Sequence, residues 1–104
     1  GWALSVDNNT LPEVFALHNN YPNPFNPITN IRYDVPELSD VQIDIYNIAG
    51  SKIKTLVSRE HQPGRYKIQW NATNEQGAPV ATGMYIYKIR ANDFVSVKKL
   101  LLMK

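Results

Sequence analysis

Two histidines, His18 and His61, are the first candidates for acid–base chemistry or metal binding in this chain. Both fall in segments predicted to be loops, and neither has the spacing to a second ligand that places two ligands on one element. The chain has no cysteine, which excludes disulfides and thiolate metal sites. We therefore expect neither histidine to bind a metal or transfer protons, and we expect no cofactor.

Three carboxylates, Glu37, Asp40 and Asp44, lie close together in the sequence and could in principle bind calcium. They lack the alternate-position spacing and the central glycine of a calcium loop. We expect a solvated turn followed by one outward-facing strand residue. No serine lies in a G-x-S-x-G turn, and no glycine-rich phosphate loop is present. The sequence therefore predicts a non-enzymatic protein.

Aromatic residues raise the alternative of sugar binding, since stacked rings on a flat β face hold glycans. Trp70 ends a predicted strand, and Tyr46, Tyr85 and Tyr87 could line a sheet face. However, Trp70 continues the alternation of Tyr66 and is therefore expected in the core between two sheets. Polysaccharide binding remains a second possibility.

The last part of the chain is basic. Residues 88–104 contain one acid, Asp93, and five basic residues: Lys88, Arg90, Lys98, Lys99 and Lys104. Lysines on an exposed strand discourage sheet-to-sheet aggregation, but they could equally form a docking surface for an acidic partner or anionic lipid. The net charge of the whole chain is only +2, which does not favour nucleic acid as a partner.

These residues must be positioned by strands, because period-2 alternation recurs and helical periodicity does not. Residues 31–35, 41–45 and 66–70 alternate strictly, and further strands are predicted over 51–57, 80–82, 84–90 and 94–103. Gly83 is expected to require a positive φ. About seven short strands in 104 residues predict a single all-β domain, an antiparallel two-sheet β-sandwich. We expect residues 1–10 to be a linker and residues 11–104 to be the domain.

The run NNYPNPFNP over residues 19–27 is dense in proline, which is usual in a disordered linker. Each proline stiffens the chain, however, and Tyr21 and Phe25 provide rings to bury. We predict an ordered lead-in that packs on the sandwich and enters the first strand at Ile28. It is either a structural cap or part of a recognised surface.

Four separated motifs resemble one known family. Residues 11–36 look like its opening motif, "YPNPFNP-x-T-x-I-x-Y-x-L-P", with Val35 in place of the leucine. VQIDIYNIAGSKIKTLV is similar to its next hairpin, residues 63–91 resemble its central section with G-x-Y at Gly83 to Tyr85, and KKLLLMK resembles its final motif. The family is that of the C-terminal sorting domains of the type IX secretion system.

The resemblance implies an immunoglobulin-like fold and a non-catalytic export address on a larger secreted protein. Its implied partners are the outer-membrane secretion machinery, a sortase-like peptidase and an upstream cargo domain of the same chain. The implied location is the cell surface or medium, reached through the periplasm of a Gram-negative bacterium. The alternative function is a carbohydrate-binding or spacer module of a secreted glycosidase. The candidate recognition residues are Pro22, Pro24, Phe25, Pro27, Gly83, Tyr85, Lys98, Lys99, Leu100, Leu101, Leu102 and Lys104.

Overall fold

The computed structural model describes residues 11–103, so the predicted linker over residues 1–10 lies outside the described residues. Seven strands follow one another: β1 (Ala16–Leu17), β2 (Thr29–Val35), β3 (Ser39–Asn47), β4 (Lys52–His61), β5 (Gly64–Trp70), β6 (Gly83–Ala91) and β7 (Phe94–Leu102). They form two antiparallel sheets, in the orders β1-β2-β5 and β4-β3-β6-β7. The immunoglobulin-like β-sandwich is confirmed. The described residues include no helix of the length and apolarity needed to cross a membrane.

Alternation along the strands builds the core between the two sheets. In β2, Ile31, Tyr33 and Val35 are buried while the residues between them are more exposed. In β6, Tyr85 and Tyr87 are buried in the same way. Because successive side chains point to opposite faces of a strand, each sheet presents one apolar face to the other.

The hairpin between β3 and β4 decides which sheet β4 joins. The side-chain Oδ1 of Asn47 accepts the backbone N–H groups of Ala49 and Ser51, at 3.0 and 2.9 Å. Gly50 adopts a positive φ of 89° in this turn. The chain therefore reverses tightly and β4 stays beside β3. In constant-type immunoglobulin domains the fourth strand belongs to the other sheet.

Two predicted elements are wrong. The strand expected over residues 80–82 does not form. Val80 instead donates its backbone N–H to the carbonyl of Ala72, across a loop that is closed by backbone hydrogen bonds to the side chain of Asn74. The first strand is also not the one predicted to begin at Ile28, since β1 precedes it and pairs with β2. Two residues are too few to show alternation in a sequence.

Candidate recognition surface

The proline-rich lead-in is ordered and lies against the end of β7. Phe25 donates its backbone N–H to the carbonyl of Leu101 at 3.0 Å, and Met103 donates its N–H to the carbonyl of Phe25 at 2.9 Å. Phe25 and Leu102 form a parallel bridge. The lead-in therefore acts as a one-residue strand added to the edge of the four-stranded sheet.

A side chain extends this contact by one step. The Oδ1 of Asn23 accepts the backbone N–H of Leu101 at 3.0 Å. Leu101 thus has both its N–H and its carbonyl bonded to the lead-in, on the side of β7 away from β6. An edge strand offers unpaired backbone groups to other chains, and at this end of β7 the lead-in takes that place.

The ring of Phe25 anchors the lead-in in the core. Phe25 is 2% exposed, and its ring centroid lies 5.7 Å from that of Trp70, which is fully buried. Tyr85 meets the same indole edge-on at 5.5 Å. The lead-in and β6 are therefore joined through one tryptophan.

The expectation that Tyr21 would also be buried is wrong, because its side chain is 75% exposed. The backbones of Tyr21 and Asn30 exchange two hydrogen bonds of 2.9 Å. The neighbouring residue Asn20, and not Tyr21, has its side chain turned inward. The Nδ2 of Asn20 donates to Thr29 Oγ1 at 3.0 Å and to the carbonyl of Pro22 at 3.2 Å. A buried polar anchor therefore holds the start of the run in place of an aromatic ring.

The candidate residues divide into two groups by burial. Phe25, Tyr85, Leu100 and Leu102 belong to the core, and Leu100 lies directly opposite Tyr85 in the β6–β7 pair. The exposed or half-exposed candidates are Pro22, Pro24, Pro27, Gly83, Lys98, Lys99 and Leu101. Lys104 lies outside the described residues. In the folded domain the second group offers a partner most of its accessible surface.

Some members of that second group meet in one groove of about 270 Å³, which we call the junction groove. It is lined by Asn23, Pro24, Met84, Lys99, Leu100 and Leu101. The proline-rich motif and the final motif therefore share a surface. Asn23 and Met84 were not predicted as site residues, and no local sequence signal identifies them, since their place depends on pairing between distant segments.

A second groove of about 270 Å³ lies on the other side of the Phe25–Leu102 bridge. Pro27 and Met103 line it together with residues of the loop between β5 and β6. Pro22, Gly83 and Lys98 line neither groove. Gly83 has a φ of 141°, which is the positive value predicted for it from the sequence.

The rest of β7 is an open edge. Backbone groups alternate in direction along a strand, so those of Val95, Val97 and Lys99 point the same way as those of Leu101. The side chains of Val95 and Val97 are 50% and 54% exposed. Lys99 is also exposed, so this open edge of β7 carries two apolar side chains and one basic side chain.

The histidines have partners that sequence reasoning missed. His61 ends β4 rather than lying in a loop, and it is buried with its Nε2 at 2.7 Å from the hydroxyl of Tyr33. Burial raises the pKa of Tyr33 to about 12, so the phenol stays protonated at neutral pH. Nδ1 of His61 lies 3.1 Å from the carbonyl of Arg59, which can only accept, so Nδ1 is the donor in that contact. The Nε2 of His18 lies 3.1 Å from Asp34.

Asp44 also differs from its prediction as an outward, solvated residue. It is 7% exposed, and its carboxylate accepts hydrogen bonds from Thr55 at 2.7 Å and Gln42 at 2.9 Å. A register shift after Ile43 brings Thr55 opposite it. Within residues 11–103 no three histidine, cysteine or acidic residues are grouped closely enough to hold a metal ion.

The aromatic residues considered for sugar stacking do not form a platform. Trp70 and Tyr87 are fully buried and Tyr85 is 7% exposed, while Tyr46 is half-buried. The indole N–H of Trp70 donates to the carbonyl of Thr73 at 2.9 Å. Trp70 is therefore a core residue, as predicted.

The fold is similar to parts of two much larger solved proteins of Porphyromonas gingivalis. In a crystal structure of dimeric latent PorU, the similarity has a TM-score of 0.70 at 20% identity and covers 90% of this chain and 10% of that one. In PorZ, described as an essential surface component of the type IX secretion system, it has a TM-score of 0.57 at 17% identity and covers 100% of this chain and 12% of that one. This chain therefore spans about a tenth of the length of either protein. No curated protein matches it by sequence.

A family model matches most of the chain. It covers residues 19–103 and describes the secretion system C-terminal sorting domain, a non-catalytic family whose members are exported through the periplasm to the outer membrane or cell surface. The match begins at the proline-rich lead-in and ends with β7, the two segments that meet at the junction groove. The chain belongs to the family of type IX secretion system C-terminal sorting domains.

Proposed function

We propose that this domain directs the export of a larger protein across the outer membrane and its attachment to the cell surface, and that the junction groove is the surface read by the secretion machinery. One observation carries the proposal. Pro24, Lys99 and Leu101, from the first and last family motifs, line a single groove although they are far apart in the sequence.

The groove suits recognition of a folded domain. Its lining depends on three backbone or side-chain hydrogen bonds between the lead-in and β7, so the groove exists only when the sandwich has formed. A machine that binds this groove would therefore distinguish folded domains from unfolded chains. Lys99 adds a positive charge beside the apolar Leu101 and Met84, which fits a partner surface that is both acidic and apolar.

The groove also lies away from the point where the chain enters the domain. Phe15 stacks on Phe94 at the start of β7, with ring centroids 5.3 Å apart, whereas the groove lies at the end of that nine-residue strand. Nine strand residues span roughly 30 Å. We propose that residues 1–10 connect the domain to its cargo, which would then leave the groove accessible. The proposed partners are the outer-membrane secretion machinery and a sortase-like peptidase that releases the domain.

A reporter fusion in a bacterium with a type IX system tests the proposal. The reporter is followed by this chain carrying Lys99→Glu and Leu101→Gln, and the exported fraction is compared with that of the unchanged fusion. The matched control is Lys52→Glu with Ile48→Gln, which makes the same kinds of change at exposed positions in and after the β3–β4 turn. We expect the reporter to accumulate in the periplasm with the first pair of substitutions only.

Circular dichroism and urea unfolding of the isolated variants show whether each domain is folded. Normal export of a folded Lys99→Glu, Leu101→Gln variant would exclude the groove as the recognised surface. The deletion of residues 100–104 is a weaker test, because Leu100 and Leu102 are core residues and we expect their loss to unfold the domain.

A further inference from the structure

The outward face of the three-stranded sheet carries three nitrogen-bearing side chains in one row. His18 donates its backbone N–H to the carbonyl of Arg32 at 2.9 Å, and Arg32 lies directly opposite Lys67 in the β2–β5 pair. His18, Arg32 and Lys67 therefore occupy the same level of three neighbouring chain segments. Neighbouring strands are about 4.8 Å apart, so the row spans roughly 10 Å.

Asp34 is the one carboxylate among the described residues that line this face, and it is already paired. Asp34 lies 3.1 Å from Nε2 of His18 and 3.6 Å from Nη1 of Arg65. Within residues 11–103, Arg32 and Lys67 form no ion pair. The five polar side chains, together with Tyr66, line an open cavity of about 410 Å³, which we call the sheet cavity. It contains three formal positive charges and one negative charge.

The pairing of Arg32 with Lys67 is unfavourable without a further charge. Like charges directly opposite each other on neighbouring strands destabilise a sheet. Protection of a sheet edge explains a lysine on β5, which is an edge strand. It does not explain Arg32, because β2 is the central strand of its sheet and has no free edge. An anion between the two side chains would turn the repulsion into attraction.

We propose that the sheet cavity binds a phosphate group, carried by a phosphorylated saccharide or a lipid head group at the cell surface. A guanidinium offers a planar pair of donors that matches two phosphate oxygens, and an ammonium adds a point charge on the other side. Arg32 and Lys67 supply these two groups across one strand pair. Asp34 lies beside His18 and Arg65, and the guanidinium N–H groups of Arg65 that do not face Asp34 can donate to a remaining oxygen.

This site is separate from the junction groove and does not depend on it. The sheet cavity is lined by residues of β2 and β5 and by His18 after β1, and the junction groove by β6, β7 and the lead-in, with no residue in common. Loss of phosphate binding should therefore leave export unchanged. The two proposals can fail independently.

The test is an NMR titration of the full chain at constant ionic strength, first with inorganic phosphate and then with glucose 1-phosphate. Chloride serves as the anion control. A second arm measures cosedimentation with phosphatidylglycerol vesicles and with phosphatidylcholine vesicles, which separates a soluble phosphate from a lipid head group. The variant is Arg32→Gln with Lys67→Gln, and the control is Lys52→Gln with Arg90→Gln, which removes the same charge from exposed positions of the other sheet.

We expect saturable shifts of the amides of residues 32 and 67, or saturable binding to phosphatidylglycerol vesicles. The Arg32→Gln, Lys67→Gln variant should weaken that binding at least about tenfold, and the control should change it less than about twofold. Circular dichroism should show both variants folded, because Arg32 and Lys67 are exposed. Equal loss in both variants, equal shifts with chloride, or no saturable binding in either arm would overturn the proposal.

Discussion

Leu101 donates its backbone N–H to Oδ1 of Asn23, at 3.0 Å and across 78 positions of the chain. This bond fastens the proline-rich lead-in to the edge of β7, next to the bridge between Phe25 and Leu102. The candidate recognition surface consists of the residues around that bond. Its stability and the export function proposed for it are therefore expected to depend on the same few contacts.

Replacing Asn23 with alanine should loosen the lead-in without unfolding the domain. The change removes one hydrogen bond at an exposed site, so the free energy of unfolding should fall by about 1 kcal/mol. Hydrogen exchange at the Leu101 amide should become faster. Asn26→Ala is the control, since Asn26 is exposed and lies on the other side of the bridge. An unchanged exchange rate at Leu101 would show that the bond does not persist in solution.

Replacing Phe25 with alanine should destabilise the whole sandwich. Phe25 is 2% exposed and packs on Trp70, so the free energy of unfolding should fall by roughly 3–5 kcal/mol. Tyr21→Ala removes another ring from the same run, but Tyr21 is 75% exposed. Its effect should be within about 0.5 kcal/mol. Urea unfolding measures both, and similar losses for the two variants would contradict the burial found here.

Gly83→Ala should cost stability through the backbone alone. A Cβ at this position would meet no atom within 4 Å, but the φ of 141° is one that residues with a side chain rarely adopt. The expected loss is roughly 1–3 kcal/mol. Gly64→Ala is the comparison, because a Cβ there would only touch the ring of Tyr66 at 3.4 Å. If Gly83→Ala unfolds at the same urea concentration as the wild type, this conformation is not required.

Alkaline pH should destabilise the domain through Tyr33 and Tyr87. Burial raises the pKa of each phenol from 10.0 to about 12. The unfolded chain releases these protons near pH 10 while the folded chain keeps them. Their contribution to stability is thus complete below pH 10 and is lost as the pH rises toward 12. The loss should approach about 1.4 kcal/mol per pH unit for each tyrosine.

Urea unfolding at several pH values between 8 and roughly 11.5 measures that slope. Tyr87→Phe removes one titrating group, and its hydroxyl donates to the carbonyl of His18 at 2.7 Å. This variant should be less stable than the wild type at pH 8 by about 1 kcal/mol. Its stability should then fall less steeply with pH. A slope equal to that of the wild type would mean that Tyr87 does not contribute to the alkaline transition.

The sequence by itself determined most of the strand-forming segments and most of their buried faces. Alternation predicted one buried face for residues 31–35, where the structure buries Ile31 and Tyr33, and the same argument placed Trp70 in the core. Four motifs in the right order also identified the family. The strands and their buried faces could be predicted because alternation is local: the face on which a residue lies depends on its neighbours in the same strand.

Only the tertiary structure decided which distant segments meet. It paired Asn23 with Leu101, placed Arg32 opposite Lys67, and buried Asp44 beside Thr55 through a register shift. Tyr21 and Phe25 each stand next to a proline, but only the structure showed that Phe25 is buried while Tyr21 faces the solvent. The physical reason is that strand order and register arise from many pairings that act together. The sequence of a single segment does not specify which strand edge or sheet face of another segment it will pack against.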